Sequence, residues 1–137
     1  MSTEPDELAL PELILRPGLL DTVMYAGAMW EFQRLHFDHE WAAHEGLARA
    51  IVQGPLLGNY LARTVGAATP AGWELAQLGW RNWAVVHVDE QLRCGGEWTP
   101  AAAGSTREAR LWIRDGSGIE VVSGSARLRP SAGRGGA

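Results

Sequence analysis

The sequence predicts an α+β domain in which a curved antiparallel sheet wraps one buried helix. Three observations carry that expectation. Through the first half of the chain apolar residues recur three and four apart, and beyond Gly66 they give way to long runs of β texture. The run Leu56, Leu57, Tyr60, Leu61 and Val65 is the most apolar helical segment, which marks it for burial along much of its length. A length of 137 residues suits one domain built on a single core. The expected organisation is one domain over residues 1–130, followed by a Gly-rich, polar and flexible tail over residues 131–137.

In chain order, Leu13, Ile14 and Leu15 form a short extended run between Pro11 and Pro17 and read as a strand. From Leu19 to about Phe32 the residues Leu20, Val23, Met24 and Ala28 repeat at helical spacing, with Asp21 or Thr22 near the helix start. Asp38 opens a second, shorter helix over DHEWAAHEG, where it is a good N-cap and Gly46 a good terminator. Pro55 suits the first turn of the third helix, because it lacks the N–H that would go unpaired there, and Gly58 admits a close neighbour.

Four strands are then expected, over Trp73 to Trp83, Ala84 to Glu97, Arg107 to Arg114 and Ile119 to Arg129. Asp115-Gly116-Ser117-Gly118 is the clearest hairpin signal. In the last two strands Ala109, Leu111 and Ile113 share one face, as do Val122, Gly124 and Ala126. A sheet this open has edges to protect, and pairing with a second copy is a common solution, so a dimer is expected.

Composition excludes several classes. The net charge of −4 and the lack of a basic run argue against nucleic acid, since Arg127, Arg129 and Arg134 near the end are accounted for by a solvated tail. No stretch approaches the roughly 20 apolar residues of a membrane span. The start MSTEPDELALPE is acidic and lacks a signal peptide's apolar core, so a cytoplasmic protein is expected. Cys94 is the only cysteine, which rules out an internal disulfide and a cysteine-rich metal site; it reads as a small apolar residue in a strand. The seven Trp, against two Tyr and two Phe, are expected mostly in the core, with the rest at an interface or an apolar ligand groove. His39 and His44 look solvent-facing and, five residues apart, make a poor metal pair, while His87 falls in a strand. With no P-loop or dinucleotide fingerprint either, no metal and no cofactor are expected.

The most informative segment is YAGAMWEFQRLHFDHEWAAHEGLARAIVQGPL, Tyr25 to Leu56. It resembles the signature of the MaoC-like hydratases and dehydratases. In that pattern a helix ends in an acid, an amide and a histidine, followed by an Asp, an Ala-rich helix and a Gly-rich turn into the central helix. Glu31, Gln33 and His36 stand at the first three positions, and Asp38, Ala42, Gly46, Ile51, Val52 and Gly54 at the later ones. Arg34-Leu35-His36-Phe37-Asp38 and Gly54-Pro55-Leu56 are also similar to the mesaconyl-CoA-hydratase-like branch, whose motif runs through Arg-Ile-His-Tyr-Asp and Gly-Pro-Leu. The likeness covers nearly the whole chain, with its specific part confined to about thirty residues.

The resemblance implies a hot-dog fold and water chemistry on an enoyl or 3-hydroxyacyl thioester of CoA or an acyl carrier protein. Hydration needs a base to take a proton from the water attacking C3 and an acid to deliver one at C2. Glu31 and His36 are implied as that pair. The thioester oxygen gathers negative charge, and the Gly54 N–H at a helix N-terminus is implied as its donor. Gln33, Pro55, Trp30 and Arg81 are implied as residues contacting the substrate. The family pattern has Asp at position 31, or Asn in the mesaconyl-type branch, and often Asn at position 33. Glu31 and Gln33 keep the functional groups and lengthen each by one methylene. Such proteins can also work as mixed pairs, so the expected partner is a second copy or another hot-dog chain, and a weak or inactive subunit is the alternative reading. A hot-dog thioesterase would place its acid on the central helix, but residues 56–66 contain no Asp or Glu.

Overall fold

The computed structural model describes residues 8–100 and 106–133. Most of the acidic start, and residues 134–137 of the expected tail, lie outside the described residues. Strand β1 (Leu13–Leu15) leads into helix α1 (Leu19–Met29), a single 3-10 turn (Arg34–His36), helix α2 (His39–His44) and the long helix α3 (Gly54–Ala67). The strands β2 (Trp73–Asn82), β3 (Leu92–Trp98), β4 (Arg107–Arg114) and β5 (Glu120–Pro130) follow. They form one antiparallel sheet in the order β1-β3-β4-β5-β2, with α3 packed against β2, β3, β4 and β5. The expected α+β architecture, a sheet around a central helix, is the observed one.

Register explains how the helix is seated. Ala109 lies opposite Ala126, Leu111 opposite Gly124 and Ile113 opposite Val122, so both triplets share the concave face. They meet Leu57, Leu61 and Val65 of α3 in the core. A Cβ on Gly124 would stand 2.8 Å from Leu61 Cδ1 and 3.0 Å from the Gly79 carbonyl oxygen, so only glycine lets helix and sheet come this close. Cys94, buried within β3, has its thiol pushed up to about 12 by burial, as suits a small apolar residue. The turn at Asp115–Gly118 closes as expected, with the Asp115 N–H donating to Ile119 O at 2.9 Å.

Three expectations are corrected. The strand expected over Ala84 to Glu97 begins only at Leu92, and its first half leaves the sheet. Val86 and Val88 do alternate inward, but they pair with residues 50–52: Val52 N–H donates to Val86 O at 2.7 Å and Val88 N–H to Ala50 O at 2.9 Å. His87 therefore lies in this crossing segment, as an isolated bridge to Ile51. Helix α1 stops at Met29 instead of Phe32, because Trp30 turns left-handed at φ 54°. Of the seven Trp only Trp98 is buried; the core is mostly Leu, Val and Ile, and Trp30, Trp41, Trp80 and Trp83 are exposed, two of them under guanidinium groups. Arg81 sits 4.1 Å from the Trp83 ring centroid and Arg34 4.4 Å from that of Trp41.

The apolar stripe of α1 also faces outward: Leu20, Val23 and Met24 are exposed, while Thr22 and Ala26 are the buried positions. Truncating the helix that fills the sheet tests the packing account. Leu61→Ala should lower stability by about 2–5 kcal/mol in chemical denaturation, the cost of a cavity at a fully buried leucine.

Candidate functional site

The site is built on the segment that precedes α3. Ile51 N–H donates to Leu35 O at 3.0 Å, and His36 Nδ1 bonds Ile51 O at 2.9 Å, so the 3-10 turn is clipped to one residue at two points. A carbonyl only accepts, so Nδ1 carries the proton and the neutral ring keeps Nε2 as its acceptor. Ala50 N–H donates to His39 Nδ1 at 3.1 Å. Gln53, 4% exposed, donates from Nε2 to the Thr22 carbonyl of α1 at 2.8 Å, and its buried Oε1 has no partner among the described residues. Four neighbouring elements thus converge on residues 50–53.

Gly54 opens α3 immediately afterwards. The N-cap Gln53 makes no side-chain cap hydrogen bond, and Pro55 has no N–H, so the positive end of a 14-residue helix keeps the Gly54 N–H as a donor. The half-buried His36 is thereby anchored three residues ahead of that donor. A Cβ on Gly54 would lie 2.5 Å from Asn82 Nδ2, so a side chain here would have to push the exposed Asn82 amide aside.

Glu31 lies near the start of the arm, residues 30–38, that carries the 3-10 turn, and its backbone is set by a different device. Trp30 N–H donates to Gly27 O and Glu31 N–H to Ala26 O, the paired bonds of a helix-ending motif that usually has glycine where Trp30 stands. Trp30 packs edge to face on Phe32 at 5.5 Å and is 83% exposed. Glu31 and Gln33 are exposed as well, and Glu31 forms no ion pair among the described residues. The structure therefore clips His36 to Ile51, three residues before Gly54, while Glu31, Gln33 and Trp30 stand exposed to solvent. Pro55 is exposed at the first turn of α3, and Arg81 stacks on Trp83. Gln53 and the Ile51 carbonyl were not singled out as site groups from sequence: a backbone acceptor has no sequence signature, and an amide in a turn looks like a turn residue.

Asp38 holds the far end of the arm, accepting from Trp41 N–H at 3.0 Å and pairing with Arg34 at 2.8 Å. Among the described residues no group of three or more His, Cys, Asp and Glu gathers to hold a metal, and no helix is long and apolar enough to cross a membrane. A groove of about 290 Å³ lies elsewhere, on the outer sheet face among Gln77, Glu108, Arg110 and Arg127.

No protein-family model and no curated protein matches the sequence. Solved structures do match the fold. An (R)-hydratase from A. caviae involved in PHA biosynthesis superposes with a TM-score of 0.83 at 21% identity, covering 94% of this chain and 100% of that one. A chain of the ChsH1-ChsH2 complex from Mycobacterium tuberculosis gives 0.79 at 22% identity over 90% of this chain and 95% of that one. A MaoC-like dehydratase gives 0.78 at 22% identity over 90% of this chain and 39% of that one. The chain has the hot-dog fold of these hydratases and dehydratases. The resemblance seen in the sequence is matched at the level of fold.

The capping bond from Trp41 N–H, and next the Arg34 side chain, hold the Asp38 carboxyl below its ordinary value of 3.8. A lowered value means that its contribution to stability is present above about pH 3.8 and is lost as pH falls through the folded midpoint. Carboxyl NMR titration should place that midpoint below 3.8 in the folded protein, and Arg34→Ala should raise it.

Proposed function

We propose that the protein is a MaoC-like acyl-thioester hydratase or dehydratase, adding or removing water across the 2,3 double bond of an enoyl or 3-hydroxyacyl thioester of CoA or an acyl carrier protein. The observation that carries this reading is the bond from His36 Nδ1 to Ile51 O, which directs an accepting Nε2 from a backbone segment leading straight into the uncapped start of α3. In hydration, water oxygen bonds to C3 as one of its protons passes to a base. The C2–C3 π electrons move toward the thioester carbonyl, and C2 then takes a proton from an acid. Glu31 and His36 share these proton transfers on either side of one water. The negative charge gathering on the thioester oxygen is met by the Gly54 N–H at the positive helix end. Trp30, Gln33, Pro55 and Arg81 contact the substrate around this centre.

The partner in this reading is a second hot-dog chain. Leu20, Val23 and Met24, with Trp30, Phe32 and Trp83, are exposed in a single chain, as are Glu31 and Gln33 of the site. Covering that face would enclose it and strengthen every polar contact inside. Two neighbours by fold, from the ChsH1-ChsH2 and HadBC complexes, were solved as two-protein assemblies, which supports this pairing.

Purified protein should hydrate crotonyl-CoA, and His36→Ala and Glu31→Gln should each lower kcat/KM by at least about a hundredfold, the usual worth of a general acid or base. A fully active His36→Ala variant rules the mechanism out.

The lengthened Glu31 and Gln33 favour a second reading, a weak or inactive subunit that binds acyl thioesters and pairs with an active partner; a misplacement of about 1 Å can cost about a hundredfold in rate. That reading expects no turnover alone and co-purification with a different hot-dog chain. A fully active homodimer in sedimentation and assay contradicts it.

A further inference from the structure

Helix α1 turns its apolar stripe outward, and Thr22 and Ala26 are its buried positions. Among the described residues a single hydrogen bond joins this helix to a part of the chain distant in sequence. Gln53 Nε2 donates to the Thr22 carbonyl oxygen at 2.8 Å, across a separation of 31 residues. Ala26 stands one turn further along the same buried face, and its carbonyl accepts the Glu31 N–H at 2.9 Å. The backbone of Glu31 is therefore fastened to the last turn of the helix that Gln53 grips. Two residues before Gln53, the Ile51 carbonyl takes His36 Nδ1 at 2.9 Å. Ile51 thus fastens the imidazole, and Gln53 fastens the helix that leads to the carboxylate, from one stretch of backbone.

Stability does not account for a glutamine here. The side chain is 4% exposed and stands at the N-cap of α3, yet it accepts no hydrogen bond from that helix. Its Oε1 is buried with no partner among the described residues. The Thr22 oxygen only accepts, so turning the amide over would lose the one bond it makes. A buried acceptor left unpaired costs as much as a neutral hydrogen bond returns, or more, so this amide adds little to the folded state. Methionine has similar length and would fill the space with no orphaned atom. What glutamine supplies and methionine does not is a directional bond to α1.

Resting on the hydratase reading above, we propose that Gln53 is a positioning residue, which by gripping Thr22 O sets where the Glu31 end of α1 stands relative to His36 and Gly54. It touches no substrate and acts through Glu31. Without the bond α1 can shift on the two buried side chains that seat it, while His36 keeps its own anchor at Ile51 O.

The test follows crotonyl-CoA hydration and thermal melting of the full-length protein. Gln53→Met should melt within a few degrees of wild type or above it, hold KM within about a factor of three, and lower kcat about tenfold or more. Placed on Glu31→Gln, the same substitution should change kcat by less than about twofold, because no carboxylate is left to position. Gln53→Glu gives a separate readout: a protonated carboxyl can donate to Thr22 O and an ionised one cannot. Its kcat relative to wild type should therefore fall as pH rises through the titration of that buried acid. Wild-type kcat in Gln53→Met, or an equal loss with and without the Glu31 carboxylate, overturns the proposal and leaves the hydratase reading standing. Should Gln53→Met fail to fold, a Gln53→Glu rate that keeps a constant ratio to wild type across pH overturns it instead. Absence of both binding and turnover in the wild type overturns the thioester reading and this proposal with it.

Discussion

The site depends on one short stretch of backbone, Ala50 to Gly54, being held from every side. His39 takes the Ala50 N–H, Leu35 and His36 close on Ile51, Val86 accepts from Val52, and Gln53 reaches back to Thr22. The bonds come from four different neighbouring elements, so the segment cannot shift along any one of them without losing several. Anchoring the imidazole to Ile51 O places it three residues ahead of the helix donor.

Glu31 belongs to a looser part of the molecule. Its backbone is set by the left-handed Trp30, a conformation that costs a bulky residue roughly 1–2 kcal/mol and is usually left to glycine. Strain of this kind persists where neighbours hold it, and here it turns the chain abruptly out of α1 and into the arm. The outward stripe of α1 adjoins this arm, so a partner covering the stripe would also fix the carboxylate.

Local chemistry was readable from the sequence wherever a few adjacent residues decide the outcome. Asp38 caps its helix, Gly54-Pro55 opens the central one and Asp115 to Gly118 turns the last hairpin, because each depends on its own side chains or on φ. Partners distant in sequence were not readable. The alternation of Val86 and Val88 is the same whether the segment joins β2 or, as it does, residues 50–52. The spacing of Leu20, Val23 and Met24 announces a helix without saying that the stripe faces away from the core. Trp abundance suggested a core, yet indoles covered by Arg side chains on the surface have the same composition. Among the site residues, His36 and Gly54 were legible as a gapped pattern. The Ile51 carbonyl that aims His36, and the Gln53 amide that reaches Thr22, are visible only in three dimensions.

The most direct test is a crystal structure of the protein with butyryl-CoA, a thioester that has no double bond to hydrate. The account predicts its carbonyl oxygen about 3 Å from the Gly54 nitrogen, with the acyl C3 facing His36 Nε2 and the Glu31 carboxylate. A thioester seated instead in the outer-face groove by Gln77, Glu108 and Arg127, or one separated from His36 by protein, would contradict it.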